Sequence, residues 1–274
     1  MPALLKTTSD IKTTIGGKTC KFTTAEGIAV DSTYVYSTKV DSTNKRVAIT
    51  RTNISTKTQT TLGYFSGLGI ANDMTVLSVN GKRTLFVATN DTSCYSILKL
   101  QINGNRANIV GRYNLYYNNN KYCPAGISYY SHTNGRVYFY ATSGHDLFTF
   151  SIADNKNSGN ITMGKKCTLN KTEAYINGAK RNVISYSKQG IYYNSSQDTL
   201  YVPLKSETDN TSVILAYRDF SKASGTVYAK SSLSFEAKGE MIQACGISSD
   251  GRLYFNVNRA NNGDAILYFK DYKI

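Results

Sequence analysis

The sequence predicts an all-β fold, a five-bladed β-propeller that forms a single domain over residues 1–274. One four-part pattern recurs five times, anchored at Gly27-Ile28, Asp73-Met74, Gly126-Ile127, Gly190-Ile191 and Gly246-Ile247. A repeat of this size with about four strands is the sequence signature of propeller blades. The anchors lie 46, 53, 64 and 56 residues apart, and passing from Ile247 through the C-terminus and back from Met1 to Ile28 takes 55. That wrap-around interval falls inside the others, so the array reads as a closed ring. Strand formers are abundant, with 22 Tyr and many Val, Ile and Thr, and no run keeps helical periodicity beyond two turns.

The blades follow in order. The first, approximately 26–66, runs from its anchor into Tyr34-Val35-Tyr36 and then the apolar Val47-Ala48-Ile49. The second, 67–118, turns at Asn80-Gly81 between its anchor strand and Leu85-Phe86-Val87, and continues through Ile97 to Leu100. The third, 119–182, turns at Asn134-Gly135 into Val137-Tyr138-Phe139, followed by Leu147 to Phe150. In the fourth, 183–240, the strands hold Leu200-Tyr201-Val202 and Val213-Ile214-Leu215. The fifth, 241–274, turns at Asp250-Gly251 and carries Leu253-Tyr254-Phe255 and Ile266 to Phe269 before the chain ends. Asn-Gly and Asp-Gly supply the positive φ angles of a tight hairpin. The fourth strand of the last blade has to come from residues 1–25, and is expected around Thr13 to Phe22. Pairing the two termini in one sheet removes open strand edges. A β-sandwich is the rival architecture, but gives no reason for five equivalent copies.

Composition bounds the function. Lys and Arg number 32 against 18 acids, a net charge of +14, which favours anionic partners such as nucleic acid, teichoic acid, an acidic polysaccharide or a membrane surface. No window of 18 apolar residues exists, so no transmembrane segment is expected, and the start MPALLKTTSD does not read as a signal peptide. The five cysteines, at positions 20, 94, 123, 167 and 245, are scattered without a CxxC. With only His132 and His145 beside them, the reading is free, mostly buried thiols, with one bridge as the alternative, and no zinc site. Neither a recognition helix nor an aromatic RNA-binding signature occurs, so sequence-specific nucleic-acid binding is not expected.

In a propeller the loops entering the innermost strands converge on the central axis. Here they present Glu26, Asn72, Asp73, Ala125, Gln189 and Cys245 as a mostly polar ring. Connections between second and third strands add a rim with Asn90, Asp91, His145, Asp146, Lys205, Glu207, Arg259 and Asp264. The opposite face collects Lys57, Lys82, Arg83, Arg106, Arg136, Lys165, Lys166, Lys222 and Arg252. Tyrosines cluster near the third and fourth anchors, and Tyr122, in the loop beside Asn118 to Asn120, is an exposed candidate for stacking on sugar rings. The candidate ligand-binding set is therefore Glu26, Asn72, Asp73, Gln189, Asn90, His145 and Tyr122. Glu26 and Asp73 also stand where the carboxylate pair of a glycoside hydrolase would stand, but Ala125, Gln189 and Cys245 supply no third inner carboxylate. The same pair with Asn72 offers oxygen donors suited to Ca²⁺, the one cofactor considered.

At Ala71-Asn72-Asp73-Met74-Thr75, Gln189-Gly190-Ile191-Tyr192-Tyr193 and Leu200-Tyr201-Val202-Pro203-Leu204 the chain resembles propeller proteins of Gram-positive bacteria, mostly secreted. More remotely it is similar to helveticin J-type bacteriocins. The resemblance implies an extracellular or cell-surface setting and transfers no catalytic residue. The expected function is non-catalytic recognition of a glycan or an anionic cell-wall polymer through the central funnel. Two alternatives remain open, a glycan hydrolase of the five-bladed type and a bacteriocin acting on bacterial envelopes.

Overall fold

The computed structural model describes residues 2–90, 95–176, 179–206, 211–236, 240–259, 263–270 and 272. The expected rim residues Asp91 and Glu207, and Cys94, lie outside the described residues. The architecture is the five-bladed propeller. Its first blade is Thr24–Val30, Tyr34–Asp41, Arg46–Asn53 and Gln59–Ser66, and its second Asp73–Val79, Lys82–Ala88, Ser96–Asn103 and Arg106–Tyr117. The third is Gly126–Thr133, Arg136–Ser143, Asp146–Ala153 and Gly164–Asn170. The fourth has a split innermost strand, Ser187–Lys188 and Tyr192–Asn194, then Thr199–Lys205, Thr211–Arg218 and Ser231–Glu236. In the fifth, Glu240–Ile247, Leu253–Arg259 and Asp264–Phe269 are completed by Ala3–Thr8 from the N-terminus. Asn80-Gly81 and Asn134-Gly135 adopt positive φ at both positions, as the hairpins require.

Apolar residues collect at the seams between blades rather than at one centre. Separate buried clusters join blades one and two (Tyr36, Leu85), two and three (Phe86, Phe139), three and four (Tyr140, Leu215), four and five (Ile214, Phe255), and five and one (Tyr254, Ile28). Strand alternation explains this, because successive side chains of each middle strand point to opposite neighbours. Both sheet faces are thus buried, and each blade depends on two others.

Closure of the ring corrects one expectation. The strand that completes the last blade is Ala3–Thr8, paired from Ala3 with Tyr268 to Thr8 with Asp264, not the segment from Thr13 to Phe22. That segment contains Gly16-Gly17, which sit at φ 58 and 76 and turn it into a hairpin of Ile11–Ile15 with Lys18–Phe22. The hairpin buries Cys20 and Phe22 against Ala48, and the Phe22 ring stacks on Tyr64 at 5.2 Å. Leu5, buried in the seam between blades five and one, is the apolar anchor of the true closing strand.

A buried ammonium clasps this closure. Lys39 in the first blade is only 2% exposed, and its Nζ donates to the carbonyls of Thr8 and Ser9 at 3.0 and 3.1 Å. It also lies 3.1 Å from Asp264 Oδ2 in the fifth blade, an ion pair, and 3.5 Å from Asp10 Oδ1. One side chain therefore ties the first blade, the last blade and the N-terminal strand.

Exposed strand edges are covered by an arrangement that the repeat pattern did not reveal. The third-to-fourth connection of the third blade contributes Ser158–Thr162, which pairs in parallel with the outermost strand of the second blade. In the fourth blade the same connection contributes Gly225–Tyr228 to the edge of the third. The backbone of Gly111 meets Asn157 so closely that a Cβ there would fall 1.8 Å from its carbonyl oxygen. Lys99 Nζ donates to the carbonyls of Asp154 and Lys156, and the Tyr113 hydroxyl to that of Lys156 at 2.6 Å. Such added strands protect edges that would otherwise template aggregation.

Lys39→Ala leaves Asp264 buried without its cation. Urea denaturation should show a loss of roughly 3–5 kcal/mol, recovered in part by adding Asp264→Leu. Equal stability of wild type and the single variant contradicts the clasp.

Candidate functional site

Four of the five anchors carry glycine, and the structure shows why. The innermost strands crowd around the axis. A Cβ on Gly27 would fall 2.6 Å from the Ala71 carbonyl oxygen, one on Gly126 2.9 Å from Thr142 Oγ1, and one on Gly246 2.9 Å from Val30 Cγ2. The second blade alone places a larger residue at this level, Asp73, and its carboxylate occupies the room that the glycines leave. A Cβ on Gly190 would lie 2.6 Å from Asp73 Cγ.

Asp73 is fully buried, and both carboxylate oxygens accept backbone hydrogen bonds. Oδ1 accepts from Met74 N at 2.9 Å, and Oδ2 from Ile127 N and Ile191 N, both at 2.8 Å. One side chain of the second blade thereby joins the third and fourth blades across the axis. Burial pushes its carboxyl well above the usual carboxylate range, while the three amides, which favour the anion, pull the other way. Burial also raises the Cys245 thiol, and the nearby Asp73 carboxylate adds to that.

In the fourth blade Pro203 stands opposite the interruption of the innermost strand. The Pro203 carbonyl accepts from Gln189 N at 3.1 Å, so the missing proline N–H would have faced the innermost strand. That strand parts here, between Lys188 and Tyr192. Past the break, Gly190 N donates to the Gln243 carbonyl at 3.0 Å and Ile191 N to Asp73.

These bonds belong to a belt that crosses every seam. Gly27 N donates to the Ala71 carbonyl at 3.1 Å between blades one and two, and Asn72 Nδ2 to the Ala125 carbonyl at 2.6 Å between two and three. Tyr193 N reaches Ser128 Oγ at 2.9 Å between three and four. Gly190 N with Gln243 joins four to five, and Asn256 Nδ2 donates to the Glu26 carbonyl at 2.7 Å between five and one.

The candidate ligand residues thus separate into groups. Asn72, Asp73 and Gln189 are brought together at the axis, but buried within the belt. Glu26 is partly open. Burial lifts its carboxyl to about 7, with Lys205 opposing and Asp264 reinforcing the shift. Asn90, His145 and Tyr122 lie apart on the second and third blades. Asn90 Oδ1 is 3.7 Å from Cys123 Sγ, the His145 carbonyl accepts from Leu169 N at 2.9 Å, and His145 is exposed. Tyr122 packs edge-on against Tyr117 and Phe148 at 5.8 and 5.2 Å. Beside this rim, burial and then the Lys171 charge lower the Lys188 amine to about 7.

Asp73 and Asn72 do not fit a Ca²⁺ ion. The N–H groups aimed at both Asp73 oxygens repel a cation, and the Asn72 amide is already a donor to the belt. Among the described residues no cluster of three His, Cys, Asp or Glu side chains could hold a metal. Among the described residues no helix is long and apolar enough to cross a membrane. On the hairpin face the expected basic groups partly meet local partners: Arg83 pairs with Asp31 at 3.1 Å, Arg252 with Asp250 at 3.1 Å, and Arg136 donates to Ser151 Oγ.

Comparison with known proteins supports the fold. No protein-family model matches the sequence, and no curated protein matches it significantly. Among solved structures, the chain is similar to a GH43 endo-arabinanase from Bacillus licheniformis, with a TM-score of 0.54 at 12% identity over 90% of this chain and 93% of that one. The endo-arabinase of Bacteroides thetaiotaomicron gives 0.52 at 13% identity, over 92% and 95%. An exo-β-1,3-galactanase from Phanerochaete chrysosporium gives 0.54 at 8% identity, covering 89% of this chain and 59% of that chain. At these identities the likeness establishes a shared propeller architecture.

The raised Glu26 carboxyl has a pH consequence. Its folded value, about 7, lies above the unfolded value of 4.5, so the folded state holds the proton longer. Stability should therefore fall as pH rises from 4.5 to about 7, by on the order of 3 kcal/mol. Glu26→Gln should lose that component and gain on wild type by this amount between acid and mildly alkaline pH, read from denaturation midpoints. Parallel pH profiles contradict it.

Proposed function

We propose that this protein is a non-catalytic recognition module for a glycan or an anionic cell-envelope polymer, working outside the cell or at its surface. The observation that carries the reading is the engagement of Asp73. A glycosidase needs two carboxyl groups flanking the scissile bond, one to give a proton and one to act as base or nucleophile. Of the inner pair expected from sequence, Asp73 is buried with both oxygens bonded to backbone amides, which leaves Glu26 without that partner. Open surface with tyrosines, amides and hydroxyls suits sugar binding, and the net charge of +14 suits an anionic chain.

A glycan hydrolase is the second reading, and Glu26 favours it. A carboxyl lifted to about 7 is still protonated in part of the molecules at neutral pH, as a general acid must be.

The test is incubation of the protein with bacterial wall fractions and with arabinan, xylan and galactan, at about 50 mM and about 500 mM salt. Expected are co-sedimentation and no new reducing ends, with binding to anionic fractions weakening at high salt. Release of reducing sugar assigns a hydrolase instead, lysis of added bacteria assigns a bacteriocin-like action, and absence of binding at both salts overturns the proposal.

A further inference from the structure

Two clefts open on the hairpin face, opposite the entry loops. One, of about 570 Å³, lies between the fourth and fifth blades and is lined by Tyr192, Asn194, Gln197, Ser248, Lys270 and Tyr272 among others. The second, of about 320 Å³, is the mouth of the central channel on this face, with Thr75, Ser78, Tyr129 and Asp31 in its wall. Tyr192, Ile247 and Ser249 line both, so the two are one groove running from the axis outward between the blades. Each part falls in the size range of sites that enclose small ligands.

Building on the recognition reading, we infer that this groove is the glycan site and that it takes a linear, predominantly uncharged oligosaccharide. Its chemistry points there for three reasons. Tyrosine rings recur along it, Tyr129 at the axis, Tyr192 at the junction and Tyr272 at the outer end, giving flat apolar faces for the C–H side of successive sugar rings. Amides and hydroxyls lie between them, the groups that exchange hydrogen bonds with sugar hydroxyls. Several are held in place before any ligand arrives. Gln197 Oε1 accepts from the Tyr201 hydroxyl at 2.5 Å and from Asn194 Nδ2 at 3.1 Å, and the Tyr192 hydroxyl donates to the Ile247 carbonyl at 3.3 Å. Such order lowers the entropic cost of binding.

The third reason is charge. A surface that follows a polyanion needs cations at repeated intervals. Among the described residues Lys270 is the one cation lining the outer cleft, and at the inner end Asp31 is neutralised by Arg83 at 3.1 Å. A neutral chain fits the length of the groove, with a single acidic substituent accommodated beside Lys270.

The experiment is titration of the intact protein with neutral oligosaccharides of about three to six units (arabino-, xylo-, galacto- and chito-series), with oligogalacturonate and with a tyrosine-free peptide as comparators. Calorimetry gives the affinity, and tyrosine fluorescence gives a second signal, because the chain has 22 Tyr and no Trp. Wild type should bind at least one neutral series. Tyr192→Ala and Ser249→Trp, which fills the junction from an exposed position, should each weaken binding at least about ten-fold, whereas Glu26→Gln, on the opposite face, stays within about two-fold. Circular dichroism confirms that the variants remain folded, and Ser249→Trp answers the question where Tyr192→Ala does not fold. Undiminished binding in the folded groove variants, or loss in Glu26→Gln alone, removes the site from this groove while leaving glycan recognition intact. Preference for oligogalacturonate or the peptide overturns the ligand class. Failure of wild type to bind any oligosaccharide overturns both the inference and the reading beneath it.

Discussion

The constraint on which the molecule depends is the crowding of five innermost strands around one axis. At this level four of them carry glycine, at positions 27, 126, 190 and 246, and the fifth carries Asp73, whose carboxylate lies against Gly190. Four glycines alone would leave amides of the third and fourth blades pointing into the centre unpaired. Asp73 answers this, accepting from Ile127 and Ile191 with one oxygen. An unmade hydrogen bond at a buried amide costs about 1–3 kcal/mol, so the acceptor matters more than its size suggests. The axial belt and the Lys39 clasp are complementary: one joins the blades at the centre, and the other secures the N-terminal strand to the last blade.

This arrangement separates structural from functional use of the funnel. A sequence reader meets a carboxylate, two amides and a second carboxylate converging on an axis and expects a ligand there. The structure gives the first carboxylate and one amide to the belt, and buries Gln189 with them. Glu26 keeps an opening and a raised carboxyl. Concave, tyrosine-lined surface appears on the other face, where the hairpins of the fourth and fifth blades diverge.

Much of the fold was legible because propeller blades repeat. The anchors, the aromatic middle strands and the Asn-Gly turns at 80–81 and 134–135 each mark one blade, and their spacing across the termini predicts the wrap-around. The identity of the closing strand was less accessible: Gly16-Gly17 was the available signal that 13–22 bends into a hairpin, and Leu5 the signal for 3–8. The parallel edge strands Ser158–Thr162 and Gly225–Tyr228 leave no trace in a blade-by-blade pattern, since each belongs to one blade in sequence and pairs with another in space. At the site, the convergence of Asn72, Asp73 and Gln189 was readable, and the engagement of Asn72 and Asp73 was not. It depends on backbone groups of other blades, the Ala125 carbonyl for Asn72 and the Ile127 and Ile191 amides for Asp73. Tyr192 follows its anchor directly and Tyr129 stands one residue further on, so their place on the innermost strands could have been found from the sequence.

The central claim is that the axial carboxylate holds blades together. It is tested most directly by the thermal unfolding of Asp73→Ala beside wild type. The account predicts that loss of an acceptor for two buried amides lowers the melting temperature by on the order of 10 °C, with the remaining folded molecules keeping wild-type secondary structure. An unchanged melting temperature contradicts it, and would return Asp73 to the list of residues free to act on a ligand.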